Sequence, residues 1–158
     1  MAQPRLIVIC GLPGSGKTTH AKQVERSLRA VRFCPDEWME ELGISLWDEE
    51  ARARIEKLQW RLVQDLLALG HNVVIEWGAW ARAERDALRA GARALGAAAE
   101  LHFLDAPIDV LFERTSAGKM EPPITLDDMK RWAQIFERPS SEELALFDPR
   151  STLEHAAS

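Results

Sequence analysis

The segment Gly11-Leu12-Pro13-Gly14-Ser15-Gly16-Lys17-Thr18 constrains the fold more than any other part of the chain. It fits the spacing G-x-x-x-x-G-K-[ST] without a gap, and its flanks are the ones that give this spacing meaning. The short β-rich run Leu6–Cys10 precedes it. From Gly16 to Ala30, small or apolar residues at Ala21, Val24 and Leu28 mark a helix. Glycines let the backbone curl so that successive N–H groups point at one anion. The helix that follows aims its positive dipole end at the same place. Gly11, Leu12, Pro13, Gly14, Ser15, Gly16, Lys17, Thr18 and Thr19 are therefore the candidate nucleotide contacts. Lys17 can reach the β and γ phosphates, and the Thr18 hydroxyl can ligate magnesium, so ATP with Mg2+ is the expected ligand.

The rest of the chain supplies a matching frame. Val31–Cys34, Asn72–Trp77 and Glu100–Leu104 are further short apolar runs. Helical stretches alternate with them. One runs from about Glu49 to Leu69, with Ile55, Leu58, Leu62, Leu66 and Leu69 at steps of three and four and Gly70 as its stop. Others cover Arg82–Leu95, Ile108–Ser116, Thr125–Phe136 and Ser140–Leu146. Such alternation implies crossover connections and a mainly parallel sheet between helical layers. The predicted class is thus α/β, a three-layer α/β/α P-loop NTPase sandwich. One domain is expected over residues 1–148, with a short lid near 115–126, where a glycine and two prolines interrupt the pattern, and a flexible tail from 149 to 158.

Composition narrows the classes. The chain has 158 residues, 46% hydrophobic and 28% charged, which suits one globular core. A net charge of -5 disfavours a nucleic-acid partner, which normally shows as a basic excess. Cys10 and Cys34 lie in apolar runs and are read as core thiols. The apolar run near the N-terminus is too short for a signal peptide or a membrane span. A cytoplasmic protein with no membrane association is expected. Oligomeric state is not legible.

In open parallel sheets ligands bind at the carboxyl ends of the strands, so residues just after strands are candidates. Asp36 follows the second strand and could take the proton of an acceptor hydroxyl, or cap a helical turn, or both. Glu76 closes the third strand, where P-loop proteins hold magnesium, usually with aspartate; a structural ion pair is the other reading. Trp38, Trp77 and Trp80 lie past strand ends and could wall an acceptor pocket or simply pack. Trp47 cannot be placed, while Trp60 and Trp132 fall at core-like helical positions. Arginines 82, 85, 89 and 93 form a mostly solvated stripe. At about 1.5 Å rise per residue, only Arg82 and Arg85 stay close enough to meet substrate. Arg114 and Lys119 flank the lid, and Arg114 could stabilise charge on a transferring phosphoryl group. The four histidines show no ligand or triad spacing.

On GLPGSGKTT at 11–19, PDEW at 35–38, NVVIEWGAWARAER at 72–85 and LHFLDAPIDVLFER at 101–114, the chain resembles a broad group of P-loop kinases. That group is similar to the kinase domain of polynucleotide kinases, to chloramphenicol phosphotransferase and to zeta-toxin sugar-nucleotide kinases. The resemblance implies parallel strands flanked by helices, ATP with magnesium, and an aspartate after the second strand acting on the acceptor hydroxyl. Asp36 falls on that position. Members often carry a second basic residue four places after the lid arginine; here that place is Gly118, with Lys119 next. The chain is too short for the added helical domain of ring-forming ATPases. It also lacks Asn-Lys-x-Asp, which excludes GTPase-type guanine recognition.

The leading expectation is transfer of the ATP γ-phosphate to a small-molecule hydroxyl on a nucleoside, sugar or antibiotic-like alcohol. A 5′-hydroxyl polynucleotide kinase is the second reading. A nucleotide-binding switch or ATPase without acceptor chemistry is the third.

Overall fold

A computed structural model describes residues 2–151. The chain runs β1 Arg5–Cys10, α1 Lys17–Leu28, β2 Val31–Phe33, α2 Pro35–Glu41, α3 Glu49–Ala68, β3 Val73–Gly78, α4 Arg82–Ala94, β4 Ala98–Phe103, α5 Ile108–Thr115, α6 Leu126–Ile135 and α7 Ser141–Leu146. The strands form one sheet in the order β2-β3-β1-β4, and every pairing is parallel. Alternation along β1 explains the layers. Leu6, Val8 and Cys10 point to a core shared with Val63 and Leu67 of α3 and Leu88 and Ala92 of α4. Ile7 and Ile9 point the other way, onto Ala21 and Val24 of α1. Both cysteines are buried and free, and burial raises Cys10 to about 11 and Cys34 to about 12. No helix among the described residues is long and apolar enough to cross a membrane.

Two expectations need correction. The buried face of α3 is Ile55, Gln59, Val63 and Leu67, rotated from the leucine stripe, so Leu58, Leu62 and Leu69 are exposed. Gln59 takes an inward position because its Oε1 accepts the indole N–H of Trp77 at 2.9 Å. A polar residue with a buried partner thus outranks a leucine without one.

The arginine stripe of α4 is not a solvated face either. Arg85 is fully buried and cannot meet a substrate. It donates to Glu143 on α7 (2.5 and 2.9 Å), to Ala79 O (2.7 Å) and to Glu137 O (2.7 Å). Arg89 lies over the Phe147 ring, and Arg93 donates to Leu146 O. The α7 region covers the stripe at Arg85 and Arg89, while the Arg82 and Arg93 side chains stay partly exposed.

The tail expected from residue 149 is tied down as far as it is described. Asp148 exchanges hydrogen bonds with Ala99 beside β4, and Ser151 donates to Glu100 from both its backbone and its hydroxyl. Residues 152–158 lie outside the described residues. Glu100 also accepts from Arg5 (2.7 Å) and pairs with His102, which pairs in turn with His20 of α1. Burial raises Glu100, but the hydrogen bonds from His102 and Ser151 outweigh it and hold the carboxyl at about 2. Two histidines without sequence spacing therefore join the edge strand to α1.

Removing one partner of a buried ion pair strands the other charge. Arg85→Met should lower unfolding free energy in a urea titration by about 3–5 kcal/mol, with Glu143 left unpaired. The exposed pair Arg54–Glu50 on α3 is the control: Arg54→Met should change stability by no more than about 0.5 kcal/mol.

Candidate active site

Two glycines of the turn after β1, Gly11 and Gly14, stand where a side chain would collide with neighbouring backbone. Gly14 and Gly16 take φ of 83° and 91°, the left-handed region that costs other residues steric strain. A Cβ on Gly11 would sit 2.8 Å from Leu104 O, and one on Gly14 would sit 2.5 Å from Leu111 O. The loop is therefore packed between the end of β4 and helix α5. Gly16 begins α1 without a side-chain cap, leaving the first helical N–H groups free for a ligand. Ser15 Oγ is buried without a hydrogen-bond partner.

Lys17 Nζ donates to Gly11 O (3.1 Å) and Leu12 O (3.0 Å). Burial lowers its pKa, while the carboxylates of Asp36 and Glu76 oppose that shift. Thr18 Oγ1 donates to Glu76 Oε1 at 2.6 Å, and Arg32 donates to Glu76 Oε2 at 2.9 Å. A hydroxyl beside a buried carboxylate is a hard-oxygen pair of the kind magnesium takes, with water and phosphate oxygens completing its shell. Among the described residues, no group of three or more His, Cys, Asp or Glu could hold a metal alone. Arg114 of α5 donates to Gly14 O at 3.2 Å, at the lip of the turn.

A cavity of about 590 Å³ opens beside Lys17. Asp36, Glu76, Trp77 and Trp80, four of the candidates from the sequence, are among the residues that line it. Asp36 lies in the first turn of α2, whose cap position is Cys34, so it is not a cap. Its carboxylate instead receives a hydrogen bond from Arg52, which also donates to Leu46 O at 2.9 Å. Lining residues that the sequence did not mark come from α3 and α6: Arg52, Glu56 and Trp132, with Glu84 from α4. Only the packing of helices over the sheet edge brings these together, and no spacing in the chain signals it. Trp47, which the sequence could not place, stands at the rim with its ring 5.8 Å from Trp132 and its N–H on Pro122 O. The expected lid segment thereby touches the opposite wall, and Met120 reaches into the cavity.

The remaining candidates fall outside the lining. Trp38 packs on Phe33, with ring centroids 6.1 Å apart. Arg82 pairs with Asp86 and Lys119 with Glu40, both on the surface. Gly78 and Ala79 make the turn after β3, and Ala79 holds a positive φ of 47°. That left-handed residue is kept in place because its carbonyl accepts from Arg85 and from the Cys10 thiol (3.3 Å). Arg85 therefore shapes the cavity floor from behind.

The family profile described as an AAA domain matches residues 6–139. The chain belongs to that family. No curated protein matches this AAA domain in sequence. Among solved structures, one chain of the Pnkp1/Rnl/Hen1 RNA repair complex is similar at 22% identity and a TM-score of 0.72. That match covers 100% of this chain and 52% of the other, so this AAA domain spans about half that chain's length. A gluconokinase from Sinorhizobium meliloti 1021 is similar at 23% identity and a TM-score of 0.62, over 90% and 80% of the two chains. The Mycobacterium tuberculosis APS kinase CysC, in complex with AMPPNP and APS, gives 22% and 0.61, over 75% and 72%. These likenesses establish a P-loop kinase fold.

The contrast between two left-handed glycines tests the packing of the turn. Gly70 has φ of 89° and nothing within 4 Å of a built Cβ, so Gly70→Ala should cost only about 1–2 kcal/mol of backbone strain. Gly14→Ala adds a collision with Leu111 O and should cost clearly more in thermal melts. Equal melting temperatures would show that α5 does not press on the loop.

Proposed function

We propose that this protein transfers the γ-phosphate of ATP to the hydroxyl of a small molecule. The observation that carries the reading is that Lys17 and Asp36 face one cavity, the first from the turn after β1 and the second from the first turn of α2, just past β2. A phosphoryl group cradled at one wall would meet an acceptor at the other. The backbone N–H groups of residues 11–18 and the Lys17 ammonium would hold the triphosphate. The unpartnered hydroxyl of Ser15 and the uncapped start of α1 at Gly16 fit a phosphate at that place. Thr18 and Glu76 would hold magnesium, which when bound neutralises charge on the β and γ oxygens.

Asp36 then orients the acceptor hydroxyl and takes its proton as the oxygen bonds to the γ-phosphorus. The bond from that phosphorus to the bridging oxygen breaks, and ADP leaves. Arg52 fixes which Asp36 oxygen is left for that task. Arg114, already at the lip of the turn, is placed to stabilise charge in transfer. The cavity is closed on several sides and lined by indoles, which suits a compact acceptor rather than a polymer. A site on a cytoplasmic protein would meet ATP at millimolar levels, and that location is part of the proposal.

Incubation with ATP and a metabolite extract, followed by mass spectrometry for products heavier by one phosphate, identifies the acceptor. With that acceptor in hand, Lys17→Ala should abolish nucleotide binding or turnover. Asp36→Asn should keep ATP affinity and lose about 10²-fold or more in kcat, as expected for a lost proton acceptor. An unchanged kcat in Asp36→Asn would remove Asp36 from the chemistry. If no hydroxyl compound ever accelerates ADP release, the switch reading would replace this one.

A further inference from the structure

The acceptor side of the cavity carries more acid than its own bases can balance. Five carboxylates line it (Asp36, Glu49, Glu56, Glu76 and Glu84) against three cations, Lys17, Arg52 and Arg131. Each cation is already engaged. Lys17 lies on the carbonyls of the phosphate-binding turn, Arg52 on Asp36, and Arg131 on Asp128 outside the cavity. Glu76 is held by Thr18 and Arg32. Glu56 and Glu84 are different. Both are half-buried, both face the cavity, and neither is in an ion pair among the described residues. Burial, with the Glu84 charge adding to it, pushes Glu56 up to about 7; burial also raises Glu84 despite the neighbouring Arg85. Two desolvated like charges beside each other are unfavourable unless a proton or a cation neutralises them, and a bound cation would favour the charged pair.

The aromatic walls make an independent statement. The Trp77 N–H is spent on buried Gln59 and the Trp47 N–H on Pro122 O. These two therefore offer the cavity ring surface rather than hydrogen-bond donors, and Trp80 and Trp132 add further indole area to the lining. Indole surface combined with unpaired carboxylates attracts positively charged nitrogen, through the ring quadrupole and direct charge pairing together. It offers little to an anion. Metal binding at this pair finds no third ligand among the described residues.

We infer that the acceptor is a hydroxyl compound bearing a positively charged nitrogen, which Glu56, Glu84 and the tryptophan walls bind while its hydroxyl meets Asp36. This deepens the kinase reading and rests on it. The same charge balance argues against sugar phosphates and polynucleotides as acceptors, because their phosphates would face the unpaired acids. Glu56 and Glu84 are specificity residues here and take no part in bond making.

Matched pairs of small alcohols test the inference by binding alone, read from tryptophan fluorescence of the full chain with a non-hydrolysable ATP analogue present. The pairs are choline against its neutral tert-butyl isostere, and glucosamine against N-acetylglucosamine. At least one cationic member should bind about ten-fold more tightly than its neutral partner. The preference should collapse in Glu56→Gln/Glu84→Gln, with retained affinity for the ATP analogue showing that the variant is folded. If no cationic member outbinds its neutral partner, or if the preference survives in the double variant, the inference is overturned. Single Glu56→Gln and Glu84→Gln variants give the same comparison should the double variant fail to fold. Because binding is read without turnover, the two proposals fail separately. A protein that prefers cations but never transfers phosphate refutes the kinase reading, whereas transfer confined to neutral alcohols refutes the acceptor assignment.

Discussion

The constraint on which the rest of the structure depends is the tight turn between β1 and α1. Gly11 and Gly14 are packed against the end of β4 and the backbone of α5. This contact sets α5, and with it Arg114, against the amides of the turn. A backbone nest for an anion works only if its N–H groups are held convergent before the ligand arrives. The sheet supplies that rigidity: β1 is central, paired on both sides by β3 and β4.

A second brace lies behind the cavity. Arg85 ties the turn after β3 to the segment after α6 and to helix α7, which lie 52 and 58 residues further along the chain. Glu137 N–H donates in turn to Trp80 O, so one cavity wall is held by the same segment that Arg85 holds. A buried ion pair is weak evidence for net stability, since desolvation offsets most of its attraction. Here its value is geometric. It keeps a left-handed alanine in place at the edge where ligands of this fold bind.

The sequence was legible where local rules act and silent where tertiary packing decides. Periodicity and glycine spacing were enough for the four parallel strands, the phosphate-binding turn and the positions of Asp36 and Glu76. They failed on α3, because a leucine stripe and a glutamine compete for the inward face and the Trp77 N–H settles it for Gln59. They failed on Arg85 for a related reason: its partner Glu143 lies 58 residues away, and no local pattern announces a buried charge pair at that distance. Arg52, Glu56 and Trp132 were unmarked because the acceptor wall is made by helices crossing the sheet edge, and helix spacing alone does not say which neighbour a face will meet.

The cavity is electrostatically divided, along the line that the proposed phosphoryl transfer would need. Around the turn, backbone amides, the α1 dipole, Lys17 and Arg114 gather positive potential. Across from it, Asp36 is paired with Arg52, while Glu56 and Glu84 are in no ion pair among the described residues. An uncompensated acidic wall facing a triphosphate would be a defect if it touched the phosphates, since like charges in a desolvated space repel strongly. Set across the cavity, it would have the opposite effect under the proposed function, because it would leave the nucleotide one favourable orientation. A triphosphate would be drawn to the turn and kept off the acidic wall. The same asymmetry would disfavour a second nucleotide there, where its phosphates would meet carboxylates instead of amides. On the proposed reading, acceptor selectivity and nucleotide orientation follow from one arrangement of charge.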